Sequence, residues 1–305
     1  MSSSTFISPG SAPRRPVVSL VIPAKDEAAN LPRLLDEVAA ALGEIAHEVL
    51  VVDDGSVDGT WRLLVARAAG DRRLRPLRHA RGAGQSTSIW QAAQVANGTW
   101  LATIDGDGQN DPADIGRLLA RAQQGDVTLV AGHRAARRDD WLKRLSSRVA
   151  NKVRSTVLGD ETPDTGCGLK VIERRAFLAL PYFDHMHRFL PALVRSQGGR
   201  CVSVAVGHRP RVAGESHYGV NDRLWAGLVD MVGVLWLRRR SRLPAPLVEH
   251  GVTSAGKAGS VALPAAMADG LTDAGPDRPG RSGRPATAGD AVLAAGGGVP
   301  DWNDA

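Results

Sequence analysis

The chain predicts an α/β protein, a mostly parallel sheet with helices on both faces, and two features of the sequence carry that expectation. From Val17 to Arg134, short β-branched runs alternate with longer segments of helical period. Such alternation is the pattern of strands joined by crossover helices, which cover both faces of a parallel sheet. Acidic residues collect where several of the runs end, at Asp53 and Asp54 and again at Asp105 and Asp107. In an open sheet, ligands bind beyond the carboxyl ends of the strands, so these acids converge on one edge.

Taken in order, "VVSLVIPA" reads as the first strand and "NLPRLLDEVAAAL" as a helix, with Pro32 tolerated in its first turn. "EVLVVDDG" follows as a strand, "TWRLLVARAAG" as a helix and "LRPLRHA" as a weaker strand. "GQSTSIWQAAQVANG" is helical, "WLATIDGDG" is a strong strand, and "PADIGRLLARAQQG" and "VTLVAGHR" repeat the helix and strand alternation. Past Asp139 the chain reads helical and basic up to Gly159, then passes through the glycine-containing "DTGCGLKVIERRAF" to another helix, another strand and a polar loop. From about Ala245 the composition shifts to Ala, Gly, Pro, Ser and Asp without periodicity, the mark of a disordered tail. The expected organisation is a disordered N-terminus (1–15), an α/β domain (16–222), an amphipathic helix (223–243) and a low-complexity disordered tail (244–305).

At 305 residues and 43% hydrophobic content, the chain is long enough for a sizeable core. Its net charge of +6 favours anionic partners: nucleic acid, acidic lipid headgroups or phosphorylated substrates. The two cysteines, Cys167 and Cys201, form no CxxC pair, which argues against a disulfide framework or zinc site and for a reducing compartment such as the cytoplasm. The N-terminus has no apolar signal-like core, and no stretch reaches the roughly 20 apolar residues of a membrane span.

The sharpest chemical signal is "DGDGQ", where an apolar strand ends in two carboxylates one residue apart, Asp105 and Asp107, on one face of an extended segment with glycines beside them. Hard divalent ions such as Mg²⁺ or Mn²⁺ take one or two carboxylates plus substrate phosphate oxygens. The bland alternative is a solvated Asp-Gly turn. A second acidic strand end, "VVDDGSVDGT", sits on the same edge and weighs against coincidence. Asp53 and Asp54 are placed to hydrogen-bond the base and ribose of a nucleotide, whereas Asp58 reads as a cap for the helix near Gly59.

The ordered motifs "VIPAKDEAANL", "VVDDGSVDGT", "RGAGQS", "TIDGDGQNDP", "DTGCGLK" and "RVAGESHYG" resemble a family 2 glycosyltransferase of the GT-A fold. Within that family the chain is most similar to the polyprenyl-phosphate sugar transferases, including dolichol-phosphate mannosyltransferases, and the likeness covers Val17 to about Arg242. The resemblance implies that Asp105 and Asp107 carry a Mg²⁺ or Mn²⁺ ion bridging the phosphates of a nucleotide-sugar, with Gln109 as a third ligand. It also implies that Pro23, Ala24, Asp26, Glu27, Asp54 and Gln85 line the nucleotide-sugar pocket, with Asp26 standing where many relatives carry Asn.

The implied reaction is displacement at the anomeric carbon, with a lipid phosphate attacking and a nucleoside diphosphate leaving. An anionic phosphate needs no strong general base; stabilising the leaving diphosphate and holding two anions together needs a metal and cations. Arg134 and Arg211 are the candidate cations. Asp164 sits where relatives carry an Asp facing the reacting centre, as base or as organiser of the acceptor site; its alternative is a turn cap after Pro163. Arg211, Ser216 and Tyr218 are the candidate acceptor-phosphate residues, and His217 replaces a Lys of relatives, making that charge conditional on pH. The remaining histidines read as surface or structural, and Trp61, Trp90 and Trp100 as core.

"RLWAGLVDMVGVLWLRRRSR" is apolar for about four turns and ends in arginines, too short and too interrupted by Asp230 to span a bilayer. As an interfacial helix it would set Trp225 and Trp236 at headgroup level and Arg238, Arg239 and Arg240 on anionic lipid. The alternative is a helix packed on the domain or in a homo-oligomer. Many bacterial relatives carry two membrane helices after this point, so attachment here is expected to be peripheral, on the cytoplasmic face, or borrowed from a membrane-protein partner. Two rival readings are a saccharide acceptor on the same fold and a basic nucleic-acid-binding protein. The second predicts salt-sensitive nucleic-acid binding and finds no recognised module in the sequence.

Overall fold

The computed structural model describes residues 15–134, 158–159, 162–210 and 220–240. The tail, nearly all of the N-terminal segment and almost all of the basic stretch between Asp139 and Gly159 lie outside them. The chain begins with β1 (Val18–Ala24), α1 (Leu31–Leu42), β2 (His47–Asp53), α2 (Thr60–Ala68), β3 (Leu74–Arg78) and α3 (Gln85–Val95). It continues with β4 (Trp100–Thr103), α4 (Asp114–Ala122), β5 (Leu129–Arg134), β6 (Lys170–Glu173) and α5 (Arg174–Leu178). A 3₁₀ turn (Met186–Arg188) leads to α6 (Leu190–Ser196), β7 (Cys201–Val206) and α7 (Val220–Arg240).

The seven strands form one sheet in the order β3-β2-β1-β4-β6-β5-β7. β1 pairs in parallel with β2 from Val18↔His47 to Ala24↔Asp53 and with β4 from Val18↔Trp100 to Val21↔Thr103. Only β6 among the described strands runs the other way, antiparallel to both β4 and β5. The weak strand β3 is an edge, which is where Pro76, lacking an N–H, can be accommodated.

Helices cover both faces, as the alternation requires. On one face Leu31, Leu34, Leu35, Val38 and Leu42 of α1, spaced as one helical stripe, pack with Ile115, Leu118 and Leu119 of α4. On the other, Ile89 and Ala92 of α3, Phe177 of α5 and Leu190 and Leu193 of α6 pack against the sheet. α7 joins this second face through Met231, Val234, Leu235 and Leu237, and Arg238 donates to the Leu158 carbonyl.

Beyond the sheet's N-terminal edge the core is sealed by a polar knot. The buried Glu48 carboxylate accepts from Ser19 Oγ at 2.6 Å, the Asn97 amide at 2.6 Å and Asn97 Nδ2 at 3.0 Å, and pairs with Arg75. Burial alone would raise its pKa, yet these donors hold it below the ordinary carboxylate range. Trp100 packs on the core as expected, while Trp90 is half-buried against Tyr182 with ring centroids 5.0 Å apart and Trp61 lies under the Arg78 guanidinium at 5.3 Å.

Candidate active site

β4 is shorter than its sequence suggests, and this corrects the reading of Asp105 and Asp107 as neighbours on an extended strand. Strand pairing ends at Thr103; the Ile104 amide makes one more bond to the Val21 carbonyl, 3.1 Å, and residues 105–108 turn off the sheet edge. Two glycines allow it: Gly106 lies so close to the Pro23 carbonyl that a Cβ would sit 3.1 Å from it, and Gly108 adopts φ +71°. The turn stacks the carboxylates at the tip of the strand rather than along it.

Asp105 accepts a hydrogen bond from Gln85 Nε2 at 2.8 Å. Burial pushes its carboxyl pKa up and the charge of Asp107 adds to this, while Lys170, Gln85 and Arg134 pull it back. Asp107 is largely buried and accepts the Gln109 amide at 3.1 Å. The Gln109 carbonyl in turn accepts the Arg209 amide at 2.8 Å.

Two of the sequence candidates meet face to face. Arg134, at the end of β5, grips the Asp164 carboxylate with Nε at 2.7 Å and Nη2 at 2.9 Å, and its backbone amide adds a third bond at 3.2 Å. Both Asp164 oxygens are thus engaged by the Arg134 guanidinium. Beneath them lies Lys170, 3% exposed, donating to the Cys167 carbonyl. Burial lowers its pKa, while Cys167, Asp105 and Asp164 favour its charge.

At the nucleotide side the two adjacent acids part company. Asp53 is fully buried; it accepts the Ser56 amide at 2.9 Å and pairs with Arg78 at 3.0 Å, so the expected contact with a nucleotide is corrected to a turn brace. Asp54, also buried, accepts His79 Nδ1 at 2.7 Å and the Ala83 and Gly84 amides at 2.7 and 3.0 Å. It therefore ties the "RGAGQS" loop down. Pro23 and Ala24 end β1; Asp26, at φ +55°, accepts the Val57 amide at 2.8 Å, and Glu27 accepts Asn30 Nδ2 at 2.5 Å. Asp58 accepts the Thr60 amide at 2.9 Å, the capping contact the sequence suggests.

Several site neighbours escaped the sequence reading. His79 braces Asp54, and His187, its pKa driven well below the ordinary value by burial and by Lys170, pairs with Ser86 Oγ at 2.7 Å. Arg209 bridges Glu37 and Asp111, each at 2.7 Å, beside a cavity of about 260 Å³ lined by Asn30, Arg33, Gly108 and Pro210. None of these stands in a motif; each depends on a partner distant in sequence. Arg211, Ser216, His217 and Tyr218 lie outside the described residues.

A hard divalent ion fits the tip of β4. Burial and the neighbouring charge of Asp107 raise the cost of ionising Asp105 there, and Lys170, Gln85 and Arg134 offset it only in part. Among the described residues no three His, Cys, Asp or Glu side chains form a self-sufficient metal site. An ion held by Asp105 and Asp107 would thus complete its shell with Gln109 and with oxygens of a bound ligand.

Over 208 residues the chain is 36% identical to the undecaprenyl-phosphate 4-deoxy-4-formamido-L-arabinose transferase of Aeromonas hydrophila, 67% of this chain and 63% of that protein. The chain thus spans just under two thirds of that relative's length. It is 33% identical over 235 residues to the dodecaprenyl-phosphate galacturonate synthase of Rhizobium johnstonii, 74% of this chain and 69% of that one. Among solved structures, mannosyl-3-phosphoglycerate synthase from Rubrobacter xylanophilus superposes with a TM-score of 0.58 at 21% identity, covering 78% of each chain. Glucosyl-3-phosphoglycerate synthase from Mycobacterium tuberculosis, crystallised with Mn²⁺, UDP and phosphoglyceric acid, gives 0.56 at 20% identity, covering 77% of this chain and 84% of that one. These structural likenesses show the fold, the GT-A architecture. Residues 19–180 match the model of glycosyl transferase family 2, and with that match the chain belongs to this family.

Proposed function

We propose that the protein is an inverting glycosyltransferase that moves a sugar from a UDP- or GDP-linked donor to a polyprenyl phosphate, with Mg²⁺ or Mn²⁺. The observation that carries the reading is the paired carboxylates of Asp105 and Asp107 at the tip of β4, with Gln85, Arg134, Asp164 and Lys170 gathered around Asp105. The relatives named for undecaprenyl- and dodecaprenyl-phosphate products support the acceptor class.

When bound, the metal would neutralise charge developing on the leaving diphosphate. The chain's own residues do the rest. Asp105 and Asp107, with Gln109, would hold the ion; Gln85 orients Asp105. Pro23, Ala24, Asp26, Glu27 and the loop tied by Asp54 shape the nucleotide side. Arg134 offers Nη1 to an anion while Asp164 fixes its plane, and a guanidinium so fixed needs little reorganisation as charge develops. Arg211, Ser216 and Tyr218 are assigned to the acceptor phosphate. The phosphate oxygen attacks the anomeric carbon opposite the departing nucleoside diphosphate, which inverts its configuration.

Attachment to the cytoplasmic face of the membrane is part of the proposal. No helix among the described residues is long and apolar enough to cross a bilayer. α7 instead exposes Val229, Val232 and Trp236, the last 61% accessible, along one side, with Arg239 and Arg240 exposed at its end. Arg238 turns inward to Leu158 and drops out of the lipid-facing set; the Trp225 side chain lies outside the described residues.

The test is transfer of label from a panel of UDP- and GDP-sugars into organic-extractable polyprenyl phosphate, with Asp107→Ala as control. Metal-dependent labelling of the lipid, reduced at least ~100-fold in the variant as expected for loss of a charge-stabilising group, supports the proposal. Donor consumption only with a soluble saccharide acceptor would replace the lipid by a saccharide and leave the fold reading intact.

A further inference from the structure

The Asp105 carboxylate rests against a residue 63 positions later in the chain that has no side chain. A Cβ built on Gly168 would overlap both Asp105 oxygens and its Cγ, so the carboxylate occupies the volume a side chain at position 168 would fill. Gly168 does not share the positive φ of Gly84 or Gly108, so its backbone tolerates alanine and the vacancy serves space rather than conformation.

The backbone beneath cannot retreat. Thr103 Oγ1 donates to the Gly168 carbonyl at 2.7 Å from β4, Lys170 Nζ holds the Cys167 carbonyl, and the Gly132 amide holds the Leu169 carbonyl at 2.8 Å. Gly132 is itself pressed on this loop, where a Cβ would lie 2.9 Å from Cys167 Sγ and from the Leu169 carbonyl. Asp105 is the movable party: its short side chain has two torsions, and Gln85 Nε2 on Oδ1 fixes its angle once it lies on the glycine.

We propose that Gly168 is a positioning residue, the seat that sets the orientation of the Asp105 carboxylate toward its cation, and that "CG" in "DTGCGLK" is needed for this reason. The cation arm rests on the metal reading above; the seat itself does not. Misplacement of a ligating oxygen by about 1 Å is enough to cost catalysis on the order of 10²-fold.

The full chain is compared with Gly168→Ala and with Gly116→Ala, a control on α4 where nothing lies within 4 Å of the added methyl. Two readouts are taken: the Gln85 side-chain amide resonance in metal-free ¹⁵N-labelled protein, and Mn²⁺ binding followed by electron paramagnetic resonance. Gly168→Ala is expected to shift the Gln85 resonance and weaken Mn²⁺ by at least ~10-fold, as loss of an orienting contact around a metal does, while Gly116→Ala changes neither. A Gln85 resonance and an Mn²⁺ affinity both unchanged in Gly168→Ala would overturn the proposal. If wild type binds no Mn²⁺ but the resonance still shifts, the seat stands and the metal reading falls. Should Gly168→Ala lower Tm, the same change in an Asp105→Ala background is expected to restore most of the loss; a loss that persists there assigns the glycine to folding and overturns the seat.

Discussion

Asp164 is held by Arg134 through both carboxylate oxygens, and both side chains are mostly out of solvent, 9% and 16% exposed. Removing the carboxylate strands a guanidinium in a poorly hydrated site next to Lys170. Asp164→Ala is therefore expected to destabilise the fold by about 3 kcal/mol, the scale for breaking a buried ion pair, measurable by urea unfolding, in addition to its effect on activity. Asp54 carries a pH signature. Burial opposes its ionisation, but His79 and the Ala83 and Gly84 amides hold its pKa below the ordinary value. The stability it contributes is thus present above the ordinary carboxylate range and lost as pH falls through the depressed folded value. Asp54→Asn is expected to flatten the acid limb of a Tm-against-pH profile. At this scale the sequence was legible where a motif names an atom: Asp105, Asp107, Arg134 and Asp164 do come together. It was not legible where neighbours in sequence diverge, as at Asp53 and Asp54, because a one-residue step along a strand end turns two buried carboxylates to different partners, the Ser56 amide and Arg78 for one, His79 and the Ala83 and Gly84 amides for the other.

Among the elements, α7 divides its surface between two tasks. Met231, Val234 and Leu235 fasten it to the α6 face, and His185 on the preceding turn reaches Asp230 at 3.0 Å, so the helix is docked rather than free. Val229, Val232 and Trp236, at helical positions i, i+3 and i+7, face away with Arg239 and Arg240 close by. Trp236→Ala combined with Arg239→Gln and Arg240→Gln is expected to lower co-sedimentation with anionic vesicles by ~10-fold or more, since each basic residue near such a surface contributes about 1 kcal/mol. Its Tm is expected to stay near wild type because no packed atom is removed. The helix itself was readable from its apolar run; the inward turn of Arg238 was not readable, since a run of three arginines gives no hint of which one finds a carbonyl.

For the whole molecule, the alternation of strand and helix up to Arg134 announced the layered sheet, and the family match, residues 19–180, runs from that stretch through the "DTGCGLK" segment to just past α5. What alternation cannot announce is a strand inserted from far downstream. β6 enters between β4 and β5 and runs against both, so β4 and β5, close in sequence, do not pair. This order has a consequence for how the chain emerges during synthesis. With residues 18–103 complete, four strands can assemble as β3-β2-β1-β4, yet one side of β4 stays open until Lys170–Glu173 appears. An open strand edge is a template for pairing with another chain. Because Thr103 finds Gly168 across 65 residues, the act that closes this edge also delivers the glycine on which Asp105 lies. A chain that ends before Lys170 thus has an open β4 edge and lacks the glycine against which Asp105 rests.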